Sequence, residues 1–256
     1  MNALTLFSLE GRRALVTGSG QGIGLALAHG LAGAGAELIL NDIDAGRLTS
    51  AGDKLRAEGA SVHLLGFDVT DPEKVAAAVD GFEAETGPID ILVNNAGMQF
   101  RAPLEEFPID RFDFMMRLNL NSAFYVGQAV ARHMIPRKQG KIVNICSVQT
   151  ALARPSIAPY TASKGAVANL TKGMATDWAK YGLQINGLAP GYFKTELTSA
   201  LVADQEFTAW LSNRTPAGRW GEVSELVGAC VFLSSAASSF VNGHILYVDG
   251  GLTSSV

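Results

Sequence analysis

Three side chains in the middle of the chain have the types and the spacing for acid–base chemistry. Tyr160 and Lys164 are four residues apart, so on a helix they lie on one face, one turn apart. A phenol has an ordinary pKa of about 10, and a nearby positive charge favours its ionised form. Ser147 lies where a predicted strand ends and could hydrogen-bond a reacting oxygen. The Tyr160–Lys164 pair alone would better suit two surface residues, so a catalytic interpretation depends on the elements around it.

The stretch from Arg13 to Leu31 has the pattern of a ligand-binding turn. A short apolar run at 14–16 stops at Thr17, and four glycines then fall within seven residues, at 18, 20, 22 and 24. Small, helix-favouring residues follow, which predicts strand, tight turn and helix. A helix that opens on glycines presents free N–H groups and the positive end of its dipole, which suits a pyrophosphate. The spacing is T-G-x-x-x-G-x-G, and in this setting it predicts a dinucleotide site rather than a bare structural turn.

The rest of the chain alternates between predicted strands and helices. Strands are expected near 36–40, 62–67, 90–93, 141–146, 183–189 and 244–248, and helices near 44–58, 108–134, 158–180 and 222–235. A further helix is expected to start with Pro72 at its first position, capped by Thr70 or Asp71. This alternation predicts an α/β fold: a Rossmann-type doubly wound parallel sheet of about seven strands with helices on both faces. No linker divides the chain, so residues 1–256 are expected to form a single domain. Ligands of such sheets bind beyond the carboxyl ends of the strands.

Polar residues collect at these predicted strand ends. Asp42 could accept hydrogen bonds from adenosine ribose hydroxyls and would repel a 2′-phosphate, and Gln21 offers that phosphate no cation. We therefore expect NAD(H) to be favoured, with NADP(H) possible because Asn41 could hydrogen-bond the phosphate. The alternative for Asp42 is a cap on the next helix. Asp68 has the same alternative, and Val69 could lie against the adenine.

Composition excludes several functional classes. Of 256 residues, 48% are hydrophobic and 17% charged, and the net charge of −4 includes no basic block that would suit nucleic acid. No apolar run of about 18 residues occurs, and the start lacks the order of a signal peptide, so no membrane partner is expected. Two cysteines in apolar runs suit a reducing compartment, which predicts a cytoplasmic protein. Four scattered histidines lack ligand spacing, so no metal site is expected.

Taken together, these motifs resemble the short-chain dehydrogenase/reductase family. They are TGSGQGIG at 17–24, NNAG at 94–97, Asn119, Ser147, the Y-x-x-x-K of 160–164 and the PG of 190–191, and they span essentially the whole chain. The resemblance implies hydride transfer to or from NAD(P) in a homotetramer. It also implies a catalytic tetrad of Asn119, Ser147, Tyr160 and Lys164. In that tetrad Asn119 steadies a helix kink and a water that links Lys164 to solvent, and Lys164 also hydrogen-bonds the nicotinamide ribose.

Further positions take their roles from the same resemblance. The implied cofactor-binding residues are Gly18, Gln21, Gly22, Ile23, Gly24, Asp42, Asp68, Val69, Asn95, Ala96, Gly97, Tyr160, Lys164, Pro190, Gly191, Phe193 and Thr195. Segments 98–108, 144–150, 189–222 and 240–251 also resemble the gluconate 5-dehydrogenases of this family, also called 5-keto-gluconate reductases. That similarity implies interconversion of D-gluconate and 5-keto-D-gluconate. Another sugar acid or polyol remains open, and a non-catalytic dinucleotide-binding regulator is an alternative that the intact tetrad disfavours.

A sugar acid needs a cation for its carboxylate and hydrogen bonds for its hydroxyls. Arg101 is the first choice, because the NNAG strand end directs the following loop toward the cleft, and arginine can bind a carboxylate bidentately. Arg154 and Lys194 are further cations that would equally suit a solvated surface, and Gln99 and Gln149 offer neutral hydrogen bonds. The substrate candidates are thus Arg101, Gln149, Arg154 and Tyr192. The segment 192–214 is expected to form a lid whose apolar underside, or alternatively a subunit contact, consists of Tyr192, Phe193, Phe207, Trp210 and Leu211.

Overall fold

A computed structural model describes residues 2–256, with the side chain of Leu197 left out. The described strands are β1 Arg13–Thr17, β2 Glu37–Asn41, β3 Val62–Leu64, β4 Ile91–Asn94, β5 Gly140–Ile145, β6 Leu183–Pro190, β7 Phe193–Lys194, β8 Gly221–Glu222 and β9 Ile245–Val248. The described α-helices are α1 Gly22–Gly33, α2 Ala45–Ala57, α3 Pro72–Glu85, α4 Ile109–Met116, α5 Ser122–Arg137, α6 Ala158–Trp178, α7 Ser199–Ala203, α8 Gln205–Arg214 and α9 Val227–Ser234.

Seven of these strands form one parallel sheet in the order β3-β2-β1-β4-β5-β6-β9. Successive strand residues pack into different hydrophobic clusters. Val16 and Leu40 belong to one cluster, and Leu15 and Ile39 belong to another. Side chains on a strand alternate between its faces, so a sheet buried on both sides carries apolar residues at every position. The doubly wound α/β fold predicted from the sequence is confirmed.

The strand order reverses beside β1, which lies between β2 and β4. Two loops leave the sheet there, and hydrogen bonds join them. Asn95 Nδ2 donates to the carbonyl oxygens of Thr17 and Gly18 at 2.9 and 3.0 Å, and Thr17 Oγ1 accepts from Asn95 N at 3.0 Å. A crevice at such a switch point is the usual ligand site of open α/β sheets.

Three elements differ clearly from the sequence-based boundaries. The helix predicted over 222–235 is α-helical only over Val227–Ser234, after the 3₁₀ turn Val223–Leu226. The third strand ends at Leu64 rather than at residue 67, since the side-chain amide of Asn41 donates to the carbonyl oxygens of Leu65 and Phe67, both at 3.0 Å, in place of a strand partner. The helix predicted over 108–134 is interrupted by one π-helical turn, Arg117–Asn121, between α4 and α5. Such π turns occur often at functional sites, and this one contains Asn119.

Candidate active site

A cavity of about 500 Å³ lies beyond the carboxyl ends of the central strands. Its wall includes every cofactor-binding residue predicted from the sequence, from Gly18 to Thr195. Ser147, Arg101, Gln149 and Tyr192 also line it. Two predicted site residues, Asn119 and Arg154, contact the residues of this wall without lining it. The fold thus brings the cofactor, catalytic and substrate candidates around one space.

The glycine turn fits a pyrophosphate. The N-cap of α1, Gln21, makes no capping hydrogen bond, and the first turn contains no acidic residue. Gly22 has a φ of +59° and lines the open cavity, so a Cβ built on it would meet no atom within 4 Å. Gly24 is packed instead, because its Cβ would lie 2.3 Å from the carbonyl oxygen of Gly18. Free amide groups and an open approach are what an anion at a helix N-terminus requires.

The acidic residue after β2 is not a helix cap. Asp42 accepts hydrogen bonds from the N–H groups of Gly20 at 3.1 Å and Asp44 at 3.0 Å, and α2 is capped by Asp44. The capping alternative for Asp42 is therefore wrong. Asn41 is also wrong as a phosphate ligand, since its amide nitrogen is used by the backbone after β3.

Arg47 is a basic residue of this end of the cavity that sequence reasoning missed. It lines the cavity, and its Nε lies 3.3 Å from Asp44 Oδ2. With the Gln21 amide oriented to suit its neighbours, the amide oxygen accepts from Arg47 Nη1 at 3.2 Å. Its position in the first turn of the helix after Asp42 was the available signal. A guanidinium therefore lines the same cavity as the carboxylate from which a preference for NAD(H) was predicted.

Asp68 is likewise not a helix cap. Its Oδ1 accepts from the N–H and the hydroxyl of Thr70, both at 2.8 Å, which fixes the turn before α3. The N-cap of α3 is Asp71, with Pro72 at the first helical position, as predicted. Asp68 and the buried Val69 then remain in the cavity wall.

The acid–base candidates meet at the end of β5. Tyr160 and Lys164 lie on α6, and the Nζ of the buried Lys164 is 5.9 Å from the centre of the Tyr160 ring and donates to the Ile145 carbonyl oxygen at 2.7 Å. Ser147 Oγ accepts from the Gln149 N–H at 3.2 Å. A hydroxyl that accepts from one partner can still donate its own proton to another, so Ser147 can donate toward the phenol or a substrate oxygen.

Burial dominates the electrostatics of this group in the protein alone. Burial raises the pKa of Tyr160, and the hydrogen bond with Ser147 acts in the opposite direction. Burial lowers the pKa of Lys164 to about 8. The expectation that the ammonium and the positive charge of an oxidised nicotinamide together favour the phenolate stays a prediction, and desolvation of the phenolate opposes it.

Asn119 connects three elements around the tetrad. Its Oδ1 accepts from Met98 N at 2.8 Å, and its Nδ2 donates to Met98 O and Ser163 Oγ, both at 3.0 Å. The residue is 2% exposed and lies in the π turn. These bonds hold the loop after β4 against α6 and stabilise the kink. The water link from Asn119 to Lys164 stays a prediction.

Two guanidinium groups lie at the substrate end of the cavity. Arg101 lines it, and burial, followed by the charge of Arg154, lowers the pKa of Arg101. Arg154 Nη1 is 3.4 Å from the Tyr192 hydroxyl, and its Cζ is 4.8 Å from the centre of the Phe207 ring. Lys194 pairs with Glu222 at 2.5 Å on the exposed surface, so it is not a substrate candidate.

The expected lid has its own small core. Tyr192, Phe207, Trp210 and Trp220 pack with ring centres 5.3–6.5 Å apart. Tyr192 and Phe193 face the cavity, but Phe207, Trp210 and Leu211 do not, so their assignment to its underside is wrong. Aromatic rings gain more from mutual packing than from exposure to a polar ligand.

Comparison with known proteins decides the family. A family profile described as enoyl-(acyl carrier protein) reductase matches residues 18–253. Gluconate 5-dehydrogenase from Gluconobacter oxydans is 66% identical over 251 residues, which cover 98% of each chain. The chain belongs to the short-chain dehydrogenase/reductase family. A 5-keto-D-gluconate 5-reductase from Escherichia coli K12 is 55% identical over 96% of this chain and 97% of its own.

A solved structure agrees with this short-chain dehydrogenase/reductase over its full length. The gluconate 5-dehydrogenase from Burkholderia cenocepacia J2315, crystallised with NADP and tartrate, is 61% identical, covers 100% of both chains and superposes with a TM-score of 0.97. Our protein is an oxidoreductase of the NAD(P)-dependent kind. The presence of NADP in this neighbour does not support the sequence-based preference for NAD(H).

Metal-ligand clusters and membrane-spanning helices are both absent from the part of the chain that the structure describes. Within residues 2–256, no group of three or more histidine, cysteine or acidic side chains is arranged to hold a metal ion. Over the same residues, no helix has both the length and the apolar character needed to span a bilayer.

Proposed function

We propose that this short-chain dehydrogenase/reductase interconverts D-gluconate and 5-keto-D-gluconate with NADP(H). One observation carries the choice of a sugar acid: Arg101 lines the cavity, Arg154 contacts its wall at the Tyr192 hydroxyl at 3.4 Å, and neither guanidinium forms an ion pair among the described residues. Two like charges without a counter-ion favour an anionic ligand between or beside them. The carboxylate of gluconate supplies that anion.

The tetrad residues take complementary roles in this proposal. Tyr160 holds the proton that the substrate oxygen gives up on oxidation or receives on reduction, and Ser147 donates a hydrogen bond to that oxygen. Lys164 forms a hydrogen bond with the nicotinamide ribose, and Asn119 holds the loop after β4 against α6. The nicotinamide, when bound, supplies or accepts the hydride. The intact arrangement of these four residues argues against a regulator that only binds a dinucleotide.

Replacing Arg101 tests the substrate. Arg101→Leu should raise the KM for gluconate and 5-keto-D-gluconate ten- to a hundredfold, because a charge-assisted hydrogen bond contributes about 1.5–3 kcal/mol. A neutral polyol should lose much less. Lys194→Leu removes an equal charge from the surface pair with Glu222 and should leave both KM values unchanged.

The wild-type assay follows reduced nicotinamide absorbance with a panel of sugar acids and polyols. An equal loss for gluconate and a neutral polyol in Arg101→Leu would show that Arg101 does not bind the carboxylate. Absence of turnover with either sugar acid would leave another sugar acid or polyol as the substrate.

The choice of NADP(H) depends on Arg47. The carboxylate of Asp42 is occupied by two backbone hydrogen bonds, and Arg47 offers a cation to a 2′-phosphate from the same wall. Arg47→Leu should lower kcat/KM with NADPH by tenfold or more and change the value with NADH little. Arg56→Leu is the matched control, since Arg56 lies on the same helix and binds Asp53 and the Val62 carbonyl instead. A similar loss with both cofactors would refute the assignment.

We also propose a cytoplasmic homotetramer. Ile109 and Phe112 on α4, Phe124 on α5 and Phe240 before β9 are exposed apolar side chains that subunit contacts could bury. The buried free cysteines, Cys146 and Cys230, suit a reducing compartment. Light scattering after gel filtration and fractionation of the source cells test these two statements.

A further inference from the structure

Gln149 has an amide without a partner inside the cavity wall. The residue is 6% exposed, and its Oε1 is buried with no hydrogen-bond partner. A buried polar group left unpaired destabilises a fold, so an unpaired amide at the wall of a ligand cavity is best explained by the ligand.

The position of this amide is fixed relative to the reacting group. Gln149 lies in the 3₁₀ turn Val148–Thr150, and its backbone N–H binds Ser147 Oγ. The next residue, Thr150, is also fixed in place, because its Oγ1 forms a hydrogen bond of 2.7 Å with the Tyr247 hydroxyl. Since only Val148 lies between Ser147 and Gln149, and a hydrogen bond joins the two, the Gln149 amide can reach groups close to the oxygen that Ser147 binds.

We propose that Gln149 recognises a substrate hydroxyl on a carbon next to the reacting carbon. This inference rests on the proposed function, in which the reacting carbon is C5 and the neighbouring hydroxyls are those on C4 and C6. A hydroxyl both donates and accepts, so it can donate a hydrogen bond to the unpaired amide oxygen or accept one from the amide nitrogen. Gln149 thereby selects polyhydroxy substrates from simple ketones, because a substrate without that hydroxyl leaves the buried amide unpaired.

A comparison of two substrates in two enzymes tests the assignment. Gln149→Leu should lower kcat/KM for 5-keto-D-gluconate by about tenfold, the effect of one neutral hydrogen bond. The 4-deoxy or the 6-deoxy analogue should show no such loss, and whichever analogue is insensitive identifies the hydroxyl. Gln149→Met keeps the length of the side chain without its amide and should give the same pattern.

A second unpaired polar atom provides the control. Thr161 Oγ1 is also buried without a partner, but Thr161 does not line the cavity. In the absence of substrate, Thr161→Val and Gln149→Leu should both raise the melting temperature, because each removes an unpaired buried group. Only Gln149→Leu should change the kinetics.

Two results would overturn the inference. One is an unchanged kcat/KM in Gln149→Leu, and the other is an equal loss for the native substrate and both deoxy analogues. The proposed function is tested separately by turnover in the wild type. If another polyhydroxy substrate is the one turned over, the same comparison is made with that substrate and its analogues lacking the neighbouring hydroxyls.

Discussion

Gly24 offers a direct test of the idea that the glycine turn is shaped for the cofactor. A Cβ at this position would lie 2.3 Å from the Gly18 carbonyl oxygen and 2.5 Å from Asn95 Nδ2. The second atom donates the bonds that join the loops after β1 and β4. In Gly24→Ala the turn must therefore move, and this movement separates two loops that carry cofactor-binding residues.

The expected magnitude follows from these contacts. Insertion of a methyl group into a packed site costs about 1–3 kcal/mol, so the free energy of unfolding should fall by that amount. If the same displacement disturbs the pyrophosphate site, the Kd for NADPH should rise by roughly ten- to a hundredfold. Urea unfolding and the fluorescence of bound NADPH measure the two quantities.

Gly33→Ala is the matched control in the same helix. A Cβ there meets nothing within 4 Å, so the variant should keep its cofactor affinity and gain up to about 1 kcal/mol from the helix preference of alanine. If Gly24→Ala retained wild-type stability and wild-type affinity, the close approach of Gly18 and Gly24 would not matter for the site, and the reasoning would be refuted.

Two further predictions concern the acid–base group. Tyr160→Phe should nearly abolish turnover while NADPH still binds, and near wild-type turnover would exclude Tyr160 as the proton-carrying group. For Lys164, burial lowers the pKa to about 8 from an ordinary value of 10.5. The unfolded chain therefore binds more protons between these values, and the destabilisation by Lys164 is complete below pH 8 and relieved as the pH rises toward 10.5. Relative to Lys164→Met, the wild type should become more stable between pH 8 and 10.5 in urea titrations, and a constant difference across that window would contradict the assigned shift.

Much of this protein follows from the local sequence. Apolar runs that end in polar residues define the buried strands, and the run of glycines after Val16 defines the turn and the start of α1. The four-residue spacing of Tyr160 and Lys164 places them on one helix face in any helical context. These features depend on backbone preferences and on the periodicity of strands and helices, which neighbouring residues alone determine.

The roles of individual polar side chains required the tertiary structure. Asn41 and Asp42 are adjacent, yet the amide of one binds the backbone after β3 while the carboxylate of the other faces the cavity. Arg154 and Lys194 are equivalent as cations in the sequence, and only the fold pairs Lys194 with Glu222, 28 residues away, and places Arg154 at the Tyr192 hydroxyl. Hydrogen bonds and ion pairs of this kind join residues that are distant in the chain. Which polar group stays free for a ligand is therefore decided by packing, and no local pattern encodes it.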